Sequence, residues 1–200
     1  MGTSAIHRLI EQQASRLGDS VAVVDREHSL TYRDLNQRAN ARARHLMNCG
    51  FRRGSLAVVR MERSLDLAVT LLAVLKAGGA YTWLEGDADP TWPSGLSMVI
   101  EDDGPEQRCL AFDFGRDLPA QSAPNLPIVS RGSDAACVFR GLQGQPEVIV
   151  PHDTITALQA QPVSPVVMWG DEPGALDLWL TLISGSTAVL SAGSVQSAAA

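Results

Sequence analysis

LKAGGAYTWLE, residues 75–85, decides the fold of this 200-residue chain, because it carries a helix end, two glycines and a strand start in eleven positions. The segment before it, SLDLAVTLLAVLK (64–76), has Ser64 as an N-cap, Asp66 in the first turn and Lys76 in the last. That helix is apolar on nearly every side, which predicts burial all round. Gly78 ends it, and AYTWL (80–84) follows as a strand.

The same alternation extends upstream. IHRLIEQQASRL reads as an amphipathic helix, with Ile6, Leu9, Ile10 and Leu17 near helical spacing and Gly18 as its stop. VAVVD (21–25) is a β-branched strand. Thr31 is an N-cap with Asp34 in the first turn, and Leu35, Ala39, Ala43 and Leu46 share a face up to Gly50. LAVVR (56–60) is the next strand. Helices alternating with strands in this way predict an α/β fold, a mostly parallel sheet flanked by helices.

Downstream, PSGLSMVIEDDG (93–104) reads as a short helix and CLAFD (109–113) as a strand. Residues 114–134, with three prolines, read as a loop inside one domain. Strands resume at ACVFR (136–140) and EVIVP (147–151), then a helix at HDTITALQA, a strand at VVMW, a helix at EPGALDLWLTLIS and a last strand at STAVLS. The ends, 1–4 and 192–200, read as appended or linker sequence, which leaves 5–191 as the folded unit.

Composition narrows the function classes. Hydrophobic residues make up 45% and charged residues 19%, ordinary values for a globular domain. A net charge of -6 argues against nucleic acid as a partner. Arg38, Arg42, Arg44, Arg52 and Arg53 read as a solvated helix face and loop. Cys49, Cys109 and Cys137 are widely spaced and odd in number, so free thiols in a reducing cytoplasm are expected. His7, His28, His45 and His152 make no metal-ligand pattern, and no metal is expected. No signal-peptide layout or membrane-length apolar run is present. GxSxG, HExxH and Walker-type loops are absent, and the adjacent pair Asp102-Asp103 gives no basis for acid–base catalysis.

Two motifs carry a resemblance. Leu30-Thr31-Tyr32-Arg33-Asp34-Leu35 resembles the first core motif of the amino-acid adenylation domains of nonribosomal peptide synthetases, within the adenylate-forming superfamily. Leu75-Lys76-Ala77-Gly78-Gly79-Ala80-Tyr81 is similar to their second, and DPTWPSGLSMVIEDDG has the texture of the segment that follows. The resemblance spans roughly 5–191 and implies the N-terminal part of an adenylate-forming core domain. Both are framework motifs and imply a fold rather than an activity. Where the family continues with proline and aspartate, this chain has Trp83 and Glu85, read either as a repacked core or as a new contact surface.

The family's third motif is a loop of Ser, Thr and Gly closing on Pro-Lys-Gly, whose amides, hydroxyls and lysine hold the phosphates of ATP. Its flanks are kept here as Ala136-Cys137-Val138-Phe139 and Val148-Ile149-Val150-Pro151-His152. Between them stands Arg140-Gly141-Leu142-Gln143-Gly144-Gln145-Pro146-Glu147, shorter than the family's loop and without serine, threonine or lysine. Glu147 stands about where the lysine is expected and would repel a triphosphate. The loop reads as degenerate, so no bound cofactor and no catalytic residue is expected. Asp171 or Glu172 lies near the family's substrate-amine aspartate, in loose register, and reads as a solvated loop acid. Trp179 reads as core.

The resemblance thus implies a non-catalytic pseudo-adenylation domain, a structural or docking element beside condensation or carrier domains, or a self-associating one through an uncovered apolar patch. Two alternatives stay open: half of a split adenylating enzyme, or a small-ligand module lined by Trp83, Trp92 and Trp169.

Overall fold

The computed structural model describes residues 5–84, 95–101, 124–127, 130–139, 147–158, 166–168 and 175–190. Two sheets divide the strands. The first has the order β2-β1-β9-β8, built from β1 (Val21–Asp25), β2 (His28–Thr31), β8 (Val166–Met168) and β9 (Thr187–Val189). The second has the order β5-β3-β4-β6-β7, built from β3 (Leu56–Arg60), β4 (Ala80–Leu84), β5 (Leu96–Glu101), β6 (Ala135–Phe139) and β7 (Val148–Pro151). Pairing is parallel except at the hairpins β1–β2 and β6–β7. The expected α/β architecture is therefore present, but divided between two sheets.

The helices are α1 (Ile6–Arg16), α2 (Tyr32–Asn48), α3 (Leu65–Lys76), α4 (His152–Ala157) and α5 (Leu176–Ser184). The caps read from sequence are made. Asp34 N donates to Thr31 Oγ1 at 3.1 Å and Leu67 N to Ser64 Oγ at 3.1 Å. Helix α3 packs against β4 of one sheet, β1 of the other and helices α1 and α2. That position explains its all-round apolarity: every residue from Leu67 to Lys76 is buried.

Two expectations are corrected, and one strand, β2, is added to those read from the sequence. Residues 93–104 do not form a helix where they are described; Leu96–Glu101 is β5, lying parallel to β3 with Val99 opposite Val58. His28–Thr31 is a strand, closed on β1 by a two-residue turn in which Arg26 takes the left-handed φ of 52°. The basic run is not uniformly solvated. Arg42 is buried, and its guanidinium donates to Asp66 O at 3.0 Å and Thr70 Oγ1 at 2.8 Å. Arg53 spans to Asp134 through two bonds of 2.9 and 3.0 Å. The strand expected at 109–113 lies outside the described residues.

Tyr32 and the glycine pair do the framework work. The Tyr32 hydroxyl sits between the carbonyls of Leu182 at 3.1 Å and Ser186 at 2.7 Å, pinning the start of α2 to the end of α5. Gly78 has φ +87°, the left-handed helix stop that an L side chain resists. At Gly79 the need is space: a Cβ there would lie 2.3 Å from Phe51 Cε1 and 2.6 Å from Ser55 O.

Candidate functional site

In a parallel sheet ligands gather beyond the carboxyl ends of the strands, and the β6–β7 hairpin lies at that edge of the second sheet. Its two arms are in register, with Phe139 opposite Val148 and Val138 opposite Ile149. β6 is bonded into the sheet beside β4, Tyr81 opposite Cys137, and Thr82 Oγ1 donates to Val138 O at 2.9 Å. The two strands expected to flank a phosphate loop are thus built. Of the loop itself, Arg140–Pro146 lie outside the described residues, and Glu147 is exposed at the entry of β7. Val148 and Ile149, the next two residues, are also exposed, at 52% and 63%.

Trp83 is the penultimate residue of β4, toward the same edge. It is half-buried and packed on the main core. Its indole Nε1 donates to Met61 O at 3.0 Å, and the Arg63 guanidinium lies 5.3 Å from its ring centroid. The half-buried indole is thus packed on the core with its polar atom satisfied. Glu85, Trp92, Asp102, Asp103, Cys109, Trp169, Asp171 and Glu172 lie outside the described residues. Trp179 is fully buried, as expected, with Nε1 donating to the Tyr81 hydroxyl at 2.5 Å. Cys49 is exposed and Cys137 buried, its thiol pushed up to about 12 by burial. Among the described residues no group of three His, Cys, Asp or Glu side chains could hold a metal ion, and no helix is long and apolar enough to cross a membrane.

One cluster joins side chains that no sequence motif links. Lys76, read as a helix-end charge, has its side chain wholly buried and its Nζ 2.5 Å from Glu11 Oε1. Burial lowers the Lys76 pKa, and the Glu11 carboxylate opposes that shift. Arg8 approaches the other Glu11 oxygen at 3.3 Å. His7 lies one helical turn before Glu11, and its ring meets that of His152 edge to face, centroids 5.9 Å apart. Both rings are buried, and burial is the main cause that lowers His7 to about 3 and His152 to about 4. A helical projection holds part of the signal, since His7 and Glu11 flank the apolar positions Ile6 and Ile10. Nothing local links them to Lys76 or His152.

The AMP-binding enzyme family model matches residues 10–106, which include both framework motifs and helix α3. A mycosubtilin synthase of Bacillus subtilis is 44% identical over 168 residues, 75% of this chain and 6% of that protein. Malpinin synthetase of Mortierella alpina is 42% identical over 124 residues, 62% of this chain and 2% of its own length. The chain carries part of a nonribosomal peptide synthetase adenylation domain. In structure it follows the N-terminal subdomain of Klebsiella oxytoca NpsA, with a TM-score of 0.80 at 21% identity over 96% of this chain and 56% of the other. NpsA in complex with 3-hydroxyanthranilyl-AMSN gives 0.77 at 20% identity over 92% and 42%. These likenesses establish the fold of the adenylation-domain fragment. The chain spans only a few per cent of the large synthetases it matches in sequence.

Proposed function

We propose that this adenylation-domain fragment is non-catalytic and serves as a structural or docking element of a peptide-synthetase assembly line in the cytoplasm. The observation that carries the reading is a contrast within one hairpin. The arms β6 and β7 keep their register and their place in the sheet, while the eight residues between them, 140–147, contain no serine, threonine or lysine. A phosphate cradle needs hydroxyl donors and a cation against the triphosphate; this loop offers one arginine at its strand end and places a glutamate at the lysine's position.

Two measurements test the reading. Amino-acid-dependent exchange of pyrophosphate into ATP, run across the twenty amino acids, is expected at the blank level, and ATP is expected not to bind in calorimetry. Exchange above the blank, or micromolar ATP binding, overturns the loss of catalysis. Exchange that arises only on adding a second chain with the later adenylation motifs turns the reading into a split enzyme. The docking role is tested by capture of separately expressed condensation and carrier domains from the same assembly line. Exposed Val148 and Ile149 on the outer strand β7 support such a contact. Capture of neither domain removes the docking role.

A further inference from the structure

Helix α1 begins without a cap of its own. Ala5 occupies the N-cap position and offers no side-chain acceptor to the first amides. One of those amides, Ile6 N–H, donates instead to Nδ1 of His152, 3.3 Å away and 146 positions along the chain. An imidazole nitrogen accepts only through a free lone pair, so this bond requires neutral His152 with its proton on Nε2. Doubly protonated, the ring would turn N–H against N–H and set a positive charge at the positive end of the helix dipole. His152 is the first residue of α4 and directly follows β7. The bond therefore ties α1 to the far end of the β6–β7 hairpin.

The surroundings give the second ring little freedom to take a charge. His7 faces Lys76 from α3 and its own neighbour Arg8, with Glu11 already engaged by Lys76 and Arg8. Arg44 of α2 adds positive potential at Lys76. On the His152 side stand Asp153 and Asp134, the latter held by Arg53. Among the described residues neither His7 Nδ1 nor His152 Nε2 has a hydrogen-bond partner.

We propose that His152 and His7 form an acid-sensitive latch: a proton on His152 Nδ1 breaks its bond to Ile6 and frees helix α1 from the β7–α4 corner, while α3 and the second sheet stay folded. Asp134 and Asp153 face His152 and favour its charge, whereas Lys76 and Arg8 face His7 and oppose its own, so His152 is the ring that takes a proton first. Once α1 is released both rings regain ordinary values near 6.5. The latch is thus fully closed above that value and weakens progressively as pH falls from it toward 4, by about tenfold per pH unit for each proton taken up.

The test is hydrogen exchange with mass spectrometry on the full chain between pH 7.5 and 4.5, corrected for intrinsic exchange rates. Peptides across Ile6–Arg16 are expected to lose protection below pH 6.5 while those of α3 keep theirs. In His152→Asn, the amide oxygen takes the place of Nδ1 and does not titrate, so the α1 loss is expected about one pH unit lower or more. Loss of α1 and α3 together, or at the same pH in His152→Asn as in the wild type, overturns the latch. Should the variant not fold, the ring nitrogens of His152 in 15N-labelled wild type at pH 7 decide. A bare Nδ1 with protonated Nε2 supports it, and the opposite tautomer refutes it.

Discussion

Removing Glu11 should cost this protein more than removing Lys76, although the two form one buried pair. The Lys76 side chain is 0% exposed and that of Glu11 6%, so either charge left alone faces a desolvation cost. Breaking a buried pair from one side typically costs about 3–5 kcal/mol, a large share of the roughly 5–15 kcal/mol by which a domain is stable. The geometry makes the two sides unequal. With Lys76→Met, Glu11 keeps Arg8 at 3.3 Å, a partner that reaches solvent. With Glu11→Gln, the buried ammonium loses the carboxylate that raises its pKa, while burial, Arg44 and Arg8 all depress it. Glu11→Gln should therefore cost about 3–5 kcal/mol and Lys76→Met about 1–3, with Glu11→Leu/Lys76→Met near wild type.

A second signature separates this account from simple repacking. In Glu11→Gln the folded lysine holds its proton less tightly than the unfolded one, whose pKa is about 10.4. The unfolded state then binds more protons, and the variant's stability must rise with pH toward that value. Urea titrations of the four proteins at pH 7 and pH 9, followed by far-UV circular dichroism, supply both readouts. Equal losses for the two single variants, or a Glu11→Gln penalty that does not shrink at pH 9, would refute the reasoning.

Gly79→Ala should cost about 3 kcal/mol or block folding, because its Cβ would sit 2.3 Å from Phe51 and 2.6 Å from a backbone oxygen; soluble yield and a denaturation midpoint check it. Thr31→Ala removes the acceptor for Asp34 N and should cost about 1 kcal/mol, a fall of about 2–4 °C in Tm by calorimetry. Arg42→Lys cannot reproduce a guanidinium that reaches both Asp66 O and Thr70 Oγ1; a loss of about 1–3 kcal/mol is expected in the same urea assay.

What the sequence disclosed was local. The caps at Thr31 and Ser64, the strands at 56–60 and 80–84 and the burial of α3 rest on residues within one or two turns of each other. β5 escapes a local reading because SMVIE, following Pro and Gly and ending in acids, also fits a short helix; only the parallel neighbour β3 fixes it as a strand. The division into two sheets is equally non-local, since periodicity marks strands without saying which of them pair. At the candidate site the two strands β6 and β7 were legible because strands have a pattern. The Glu11–Lys76 and His7–His152 contacts were not, because charged side chains on an apolar helix face announce burial without naming the partner.

The first sheet has a timetable. β1 sits beside β9, and Thr187 Oγ1 bonds Val21 O across 166 positions. Tyr32 likewise waits for the carbonyls of Leu182 and Ser186. A ribosome adding roughly 5–20 residues per second would leave the β1–β2 hairpin for about ten to thirty seconds with one edge open. During that interval Val23 and Val24 offer their backbone to any passing strand. The second sheet's β3–β4 pair, closed within a few dozen residues, needs no such wait, so the sheet that holds the opening strands is the one completed last.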